Sequence, residues 1–166
     1  FIATFPIAAV QALVAIAEAQ TVTEFPILTN SQPSGITTGG DAHLWFTEFN
    51  SNNIGRLSVT GQLTEFPIPT ASSGASGIAA GPDGNIWFAE LTANKIARIT
   101  LAGAVTEFTI PTAGSSPAGV TDGPDGNVWF TESNANRIGR ITPAGVITEF
   151  VLPTLTNHPA GITTGP

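Results

Sequence analysis

The chain repeats itself. Thr-Glu-Phe recurs at Thr23, Thr64, Thr106 and Thr148, at spacings of 41, 42 and 42 residues. Trp45-Phe46, Trp87-Phe88 and Trp129-Phe130 keep the same period of 42. A fixed period of roughly 40–50 residues denotes an array of one supersecondary unit, in which each copy buries its apolar faces on its neighbours. Residues common to every copy are therefore construction first. Chemistry is to be sought where one copy departs from the others.

The third copy shows what the unit is. Gly119-Val120-Thr121 is short and β-prone, and Gly123-Pro124-Asp125-Gly126 is a turn signal, because Pro presets φ and Gly accepts a positive one. Asn127-Val128-Trp129-Phe130-Thr131-Glu132 is aromatic and β-branched, a strand by composition. After Asn134-Ala135-Asn136, Arg137–Thr142 alternates polar and apolar with period two, the pattern of a half-buried strand. Pro143-Ala144-Gly145 turns, and Val146–Leu152 gives a fourth strand that Pro153 stops. Four short strands per copy make an all-β chain built from β-propeller blades. Residues 20–166 hold about three and a half repeats, fewer than the typical four to eight blades. The expectation is a partial propeller, a piece of a longer one. The alternative is self-association through open blade edges, which expose unpaired strands.

Net charge is −7, and all five cations (Arg56, Lys95, Arg98, Arg137, Arg140) fall in one recurring segment. Without a basic patch elsewhere, nucleic acid and anionic membrane surfaces are poor partners. There is no cysteine, which excludes disulfides and thiolate metal sites. Residues 1–19 are of another kind. Phe1–Ala17 is uncharged and rich in Ala, Ile and Val, and it runs into the small-residue pattern Ala17-Glu18-Ala19. That reads as the apolar core and cleavage site of a signal peptide, with an apolar N-terminal helix as the alternative. The expected location is secreted or periplasmic, with no membrane contact in the mature form.

In an antiparallel meander the connections alternate between two ends. The tight Gly turns share one face, and the loops after Phe-Thr-Glu share the other with the long Pro-Thr loops. The long-loop face has side chains to spare for a ligand, a small molecule or a cyclic peptide. Its expected rim is Glu48, Glu90 and Glu132 with Asn52, Asn94 and Asn136. A carboxylate present in every copy is expected to bond loop N–H groups or the arginine of its own repeat, Arg56, Arg98 or Arg140. A ring of carboxylates is also a donor set that hard cations favour. Asp41, Asp83 and Asp125 belong to turns, as does His43. The three tryptophans are expected between blades, where aromatic packing dominates.

The run from Ser116 to Glu132, with Trp129-Phe130-Thr131-Glu132, followed by Asn136-Arg137-Ile138-Gly139-Arg140-Ile141-Thr142, closely resembles the repeat of the virginiamycin B (streptogramin B) lyase family. The resemblance covers essentially everything after residue 20. It implies a seven-bladed propeller and a Mg²⁺-dependent lyase that opens the ester of a cyclic depsipeptide antibiotic by elimination. In such a reaction a base removes the proton α to a carbonyl, the enolate-like charge is stabilised, and an acid assists the leaving carboxylate. Family members place catalytic histidines directly after the Pro of the Ser-x-Pro loop in late blades, assisted by a Glu of a Trp-Phe strand.

Here the corresponding positions hold Ser34, Ser76, Ala118 and Ala160. The candidate catalytic residues within the chain are His158, which precedes Pro159 instead of following it, and Glu132, at the place of the assisting Glu. The bland reading of His158 is a loop residue standing where other copies have Gln32 and Ser116. The leading functional expectation is thus an inactive N-terminal part of a secreted lyase. The alternatives are a non-enzymatic extracellular binding propeller and a metal-dependent lactone hydrolase.

Overall fold

The computed structural model describes residues 22–27, 30–154 and 157–165. Residues 1–19, read above as a signal peptide, lie outside them. Among the described residues no helix is long and apolar enough to cross a membrane. Within the described residues, twelve strands form three four-stranded antiparallel sheets, each a meander of consecutive strands. The first blade holds β1 (Pro33–Thr38), β2 (Leu44–Glu48), β3 (Asn53–Leu57) and β4 (Leu63–Pro67). The second holds β5 (Ala75–Ala80), β6 (Ile86–Glu90), β7 (Lys95–Ile99) and β8 (Val105–Thr109). The third holds β9 (Pro117–Asp122), β10 (Val128–Glu132), β11 (Arg137–Ile141) and β12 (Ile147–Val151). The four strands per repeat expected from the sequence are all present.

The turns explain the register. Gly84 and Gly126 take φ of +75° and +72°, closing the tight turns that return β5 to β6 and β9 to β10. Ala42 takes the same left-handed place in the first blade at +60°, a conformation that suits glycine better. Each turn aspartate accepts a bond from the tryptophan indole four residues on, at 3.0, 2.9 and 3.0 Å for Asp41, Asp83 and Asp125. These bonds hold the carboxylates low. Burial opposes the effect at Asp83 without reversing it, and exposed Asp125 falls to about 2.

The core lies between blades. Trp45 of the first blade is fully buried against Ile78, Ile86, Phe88 and Ile99 of the second. Trp87 of the second is fully buried against Val120, Val128, Phe130 and Ile141 of the third. Phe66 and Phe108, from the Thr-Glu-Phe strands, stack on these indoles at 5.5 and 5.7 Å. Arg56 and Arg98 lie over the same rings and donate to the next blade's carbonyls, at Leu101 (3.0 Å) and Pro143 (2.7 Å). The recurrent arginine is therefore a blade-to-blade clamp paired with the turn aspartate, 3.9 Å from Asp41, 3.6 Å from Asp83 and 3.6 Å from Asp125.

The first strands of successive blades run side by side along the inner edge of the arc, and at Gly77 they come close enough to leave no room for a side chain. A Cβ at Gly77 would overlap the Ala118 carbonyl oxygen and crowd the Gly119 and Val120 backbone. Backbone cannot swing aside as a side chain can, so Gly77→Ala is expected to destabilise the chain by about 1–3 kcal/mol. Urea melts of the variant check this, and an unchanged midpoint would mean the inner strands are further apart than described.

Candidate functional site

The long-loop end is built from three kinds of side chain. The asparagines come first. Asn52, Asn94 and Asn136 take positive φ of 60°, 59° and 53°, a conformation asparagine tolerates better than most residues. Their side chains then staple the loops together. Asn52 Nδ2 donates to the Ile68 carbonyl at 2.9 Å, and its Oδ1 accepts from Ser73 N–H and Ser73 Oγ–H at 2.8 and 2.9 Å. Asn94 repeats this with Ile110 and Ser115. Asn136 donates to the Leu152 and Thr154 carbonyls and accepts from Asn157 N–H. These residues sit at the expected end of each blade, with both halves of their amides occupied by protein.

The glutamates differ from the expected rim. Glu48, Glu90 and Glu132 end β2, β6 and β10 at the long-loop end, yet each is 0% exposed. Their carboxyls are turned into the protein and not displayed. The pairing register shows why the expected partners are wrong. Glu48, Glu90 and Glu132 stand opposite Asn53, Lys95 and Arg137, whereas Arg56, Arg98 and Arg140 stand opposite the tryptophans. Each buried carboxyl instead faces the glutamate of its own Thr-Glu-Phe strand: Glu65, Glu107 or Glu149. Among the described residues, neither oxygen of Glu90 or Glu132 has a hydrogen-bond partner.

Burial, then the charge of Glu107, pushes Glu90 up to about 8 against the pull of Lys95. Burial and the Glu149 carboxyl raise Glu132 to about 8, opposed by Arg137 and Ser115. Burial and Glu48 raise Glu65. Glu107 goes the other way. Burial opposes its ionisation, but Lys95 at 2.8 Å and the N–H and hydroxyl of Thr70 overcome it. Near neutral pH the second blade thus holds one protonated and one ionised carboxyl beside a lysine.

The strand entrances come third. Gly35 N–H donates to Thr47 Oγ1 at 2.9 Å, and that hydroxyl donates to the Ser76 carbonyl at 2.7 Å. Gly119, Thr131 and Ala160 repeat the arrangement at 2.8 and 3.0 Å. In the second blade Ala89 replaces the threonine, and Ser76 Oγ donates instead to the Pro117 carbonyl at 3.3 Å. These hydroxyl protons are all committed to backbone carbonyls. Ser34, Ser76, Ala118 and Ala160 bring neither a base nor an acid to this end.

His158 is exposed and takes φ of +39°, the fourth member of a series with Gln32 (+51°), Gly74 (+68°) and Ser116 (+52°). The left-handed turn before strand 1 sets its backbone. Its Nδ1 lies 3.1 Å from the Ser133 carbonyl oxygen and donates to it, so in the neutral ring Nε2 carries the lone pair. His158 is brought beside the residue that follows Glu132, but the Glu132 carboxyl is sealed from solvent. His43 lies at the opposite, tight-turn end, with Nδ1 2.8 Å from the Asp41 carbonyl oxygen.

Among the described residues, no group of three or more His, Asp or Glu side chains gathers to hold a metal ion. The carboxyl pairs do not fit Mg²⁺ either. Glu48, Glu90 and Glu132 are sealed from the solvent that would supply the waters Mg²⁺ keeps in its octahedral shell, and in the second and third blades Lys95 and Arg137 already act on the pair.

Comparison with known proteins gives a consistent result. The family model described as the virginiamycin B lyase family matches residues 5–166. A virginiamycin B lyase from Bordetella pertussis is 41% identical over 51 residues, 30% of this chain and 17% of that protein. A streptogramin B lyase structure matches with a TM-score of 0.84 and 41% identity, covering 86% of this chain and 48% of its own. The Staphylococcus aureus virginiamycin B lyase, solved as a catalytically inactive histidine-to-alanine variant with quinupristin, matches at 0.85 with 44% identity, over 90% of this chain and 51% of that one. The chain therefore spans about half the length of the lyase structures it matches.

Proposed function

The chain belongs to the virginiamycin B lyase family, and we propose that it builds part of the propeller of a lyase that opens the ester ring of a type B streptogramin by elimination. The observation that carries this reading is the family match over residues 5–166. The chain's share of its relatives, about half, supports its being part of a longer propeller. The inactivity of the S. aureus histidine variant is a property of that protein; it is the reason to look for an imidazole here. None stands at Ser34, Ser76, Ala118 or Ala160. We place the base that takes the α-proton, the assisting acid and the ligands of the implied Mg²⁺ in blades beyond the described residues.

The described blades would then supply the wall of the mouth. Their asparagine staples and committed hydroxyls hold the loop end rigid, and preorganisation of this kind lowers the cost of positioning a substrate. Within this reading His158 positions a loop and Glu132 is a buried structural acid. The reading of residues 1–19 as a leader places the protein outside the cytoplasm, where it would meet an antibiotic and confer resistance.

A second reading, a binding propeller without catalysis, is favoured by the same bare entrances. The 166-residue chain, incubated with a type B streptogramin and Mg²⁺, is expected to leave the ring intact. Ring opening by this chain alone, read by mass spectrometry, would put the catalytic groups inside it and overturn their placement.

A further inference from the structure

At the long-loop end the copies depart from one another at one recurring junction. There the residue after each buried glutamate meets the residue before strand 1 of the next blade. The pairs are Phe49 with Gly74, Leu91 with Ser116, and Ser133 with His158. Two of the contacts are direct. A Cβ at Gly74 would lie 3.2 Å from Phe49 Cε2 and 2.5 Å from Thr92 Oγ1, so position 74 has no room for a side chain and the Phe49 ring covers it. At the third junction His158 Nδ1 reaches the Ser133 carbonyl oxygen at 3.1 Å. As the first member of the pair shrinks, from Phe to Leu to Ser, the second grows, from Gly to Ser to His. Each junction therefore holds one large side chain. The backbone beneath is the same every time: Phe49, Leu91 and Ser133 N–H donate to the Gln32, Gly74 and Ser116 carbonyls at 3.1, 3.0 and 3.2 Å. A fixed frame with an exchangeable side chain is how a repeat array adapts its concave or loop-bearing face to a ligand.

We propose that Phe49 and Leu91 form an apolar platform at the mouth, and that it sets specificity by seating an aromatic side group of a cyclic depsipeptide. The proposal rests on the reading of these blades as part of a streptogramin lyase. Both side chains are half-buried, held from below and open above. Gly74 stands at the entrance of β5, the innermost strand of its blade, which puts the Phe49 ring beside the channel mouth and not on the outer wall. The charges nearby do not compete for the ligand. Glu48 and Glu90 are 0% exposed, and Lys95 is held by Thr70 at 2.6 Å and Glu107 at 2.8 Å. These two junctions thus offer an uncharged surface, whereas the third offers an imidazole. An aromatic group gains more from such a platform than an aliphatic one, because offset or edge-on ring contact adds to the area buried. The platform is already formed, so little ordering is lost on binding.

The test titrates the full chain with quinupristin by calorimetry. Saturable binding is expected. Phe49→Ala should weaken it by about tenfold or more, a change of about 1.4 kcal/mol or more. Phe49→Leu, which keeps an apolar side chain without the ring, should weaken it as well, and Phe49→Tyr, which keeps the ring, should not. Val146→Ser, exposed on a turn at the opposite end, should leave binding unchanged. A cyclic depsipeptide with aliphatic side chains alone should bind more weakly than quinupristin to the unaltered chain and equally to Phe49→Leu. Absence of saturable binding, equal binding by Phe49→Leu and the unaltered chain, or no preference for the aromatic ligand would each overturn the proposal and leave a packing role for Phe49. The lyase reading fails separately. A protein joining these blades to the catalytic ones that opens quinupristin with a KM unmoved by Phe49→Leu would sink the platform alone, and one that binds quinupristin through Phe49 without opening it would sink the lyase reading alone.

Discussion

Trp87→Ala is expected to cost about 3–5 kcal/mol of unfolding free energy, the range for removing a large aromatic from a packed core. Trp87 is fully buried, stacks on Phe108 at 5.7 Å, lies under Arg98 and donates its indole N–H to Asp83. Its loss opens a cavity between the second and third blades and leaves the Asp83 carboxylate one donor short. Trp129 makes the same contacts within its blade, with Phe150 at 5.5 Å, Arg140 and Asp125. It is only partly buried, however, because among the described residues no further Trp-covering blade lies beyond it. Trp129→Ala should therefore cost distinctly less. Urea melts of the two variants side by side give the comparison. A loss below about 1 kcal/mol for Trp87→Ala would remove the inter-blade core from this account.

The second large effect is a pH dependence written by the buried carboxyls. Glu90 and Glu132 are raised from 4.5 to about 8. Between those values the folded chain keeps a proton that the unfolded chain gives up. Stability from each group is thus fully present below about pH 4.5 and is lost as pH rises towards 8, by up to about 1.4 kcal/mol per pH unit. Asp125, held to about 2, acts in the opposite sense and only in strong acid, where protonation weakens its bonds to Trp129 and Asn127. Stability should accordingly fall from pH 5 to pH 8. Glu90→Gln and Glu132→Gln should each flatten that fall and stabilise the chain at pH 8, since a neutral amide leaves no charge to desolvate beside Glu107 or Glu149. A wild-type stability that is level across this range, or a Gln variant weaker at pH 8, would show that these carboxyls ionise freely.

The fold was legible because the repeat writes each strand three times and puts its turn residues at fixed offsets. The inter-blade place of Trp45 and Trp87 followed from the same beat. The glutamates were not legible in that way. In Trp-Phe-Thr-Glu, alternation puts Phe46 and Glu48 on one face of β2 and Trp45 and Thr47 on the other. In a propeller, neighbouring blades cover both faces, so polarity does not mark the wet side. Hairpin register was the available signal. A four-residue loop after Glu132 pairs it with Arg137, which excludes Arg140 as its partner. The asparagines stand at the expected end, but a polar residue at a loop also serves backbone geometry. Positive φ at Asn52, Asn94 and Asn136 selects that side chain before any ligand does. His158 departs from the repeat in side chain alone, because its left-handed backbone is shared with Gln32, Gly74 and Ser116.

The most direct test of the functional account is the mass of a type B streptogramin after incubation with a protein that joins these blades to the further blades proposed to carry the catalytic groups. Elimination predicts a ring-opened product with the mass of the intact lactone, since a proton is only moved from carbon to the leaving carboxylate. A product heavier by one water would make the propeller a hydrolase, and an unaltered antibiotic bound to the protein would make it a binding module; either result contradicts the lyase reading.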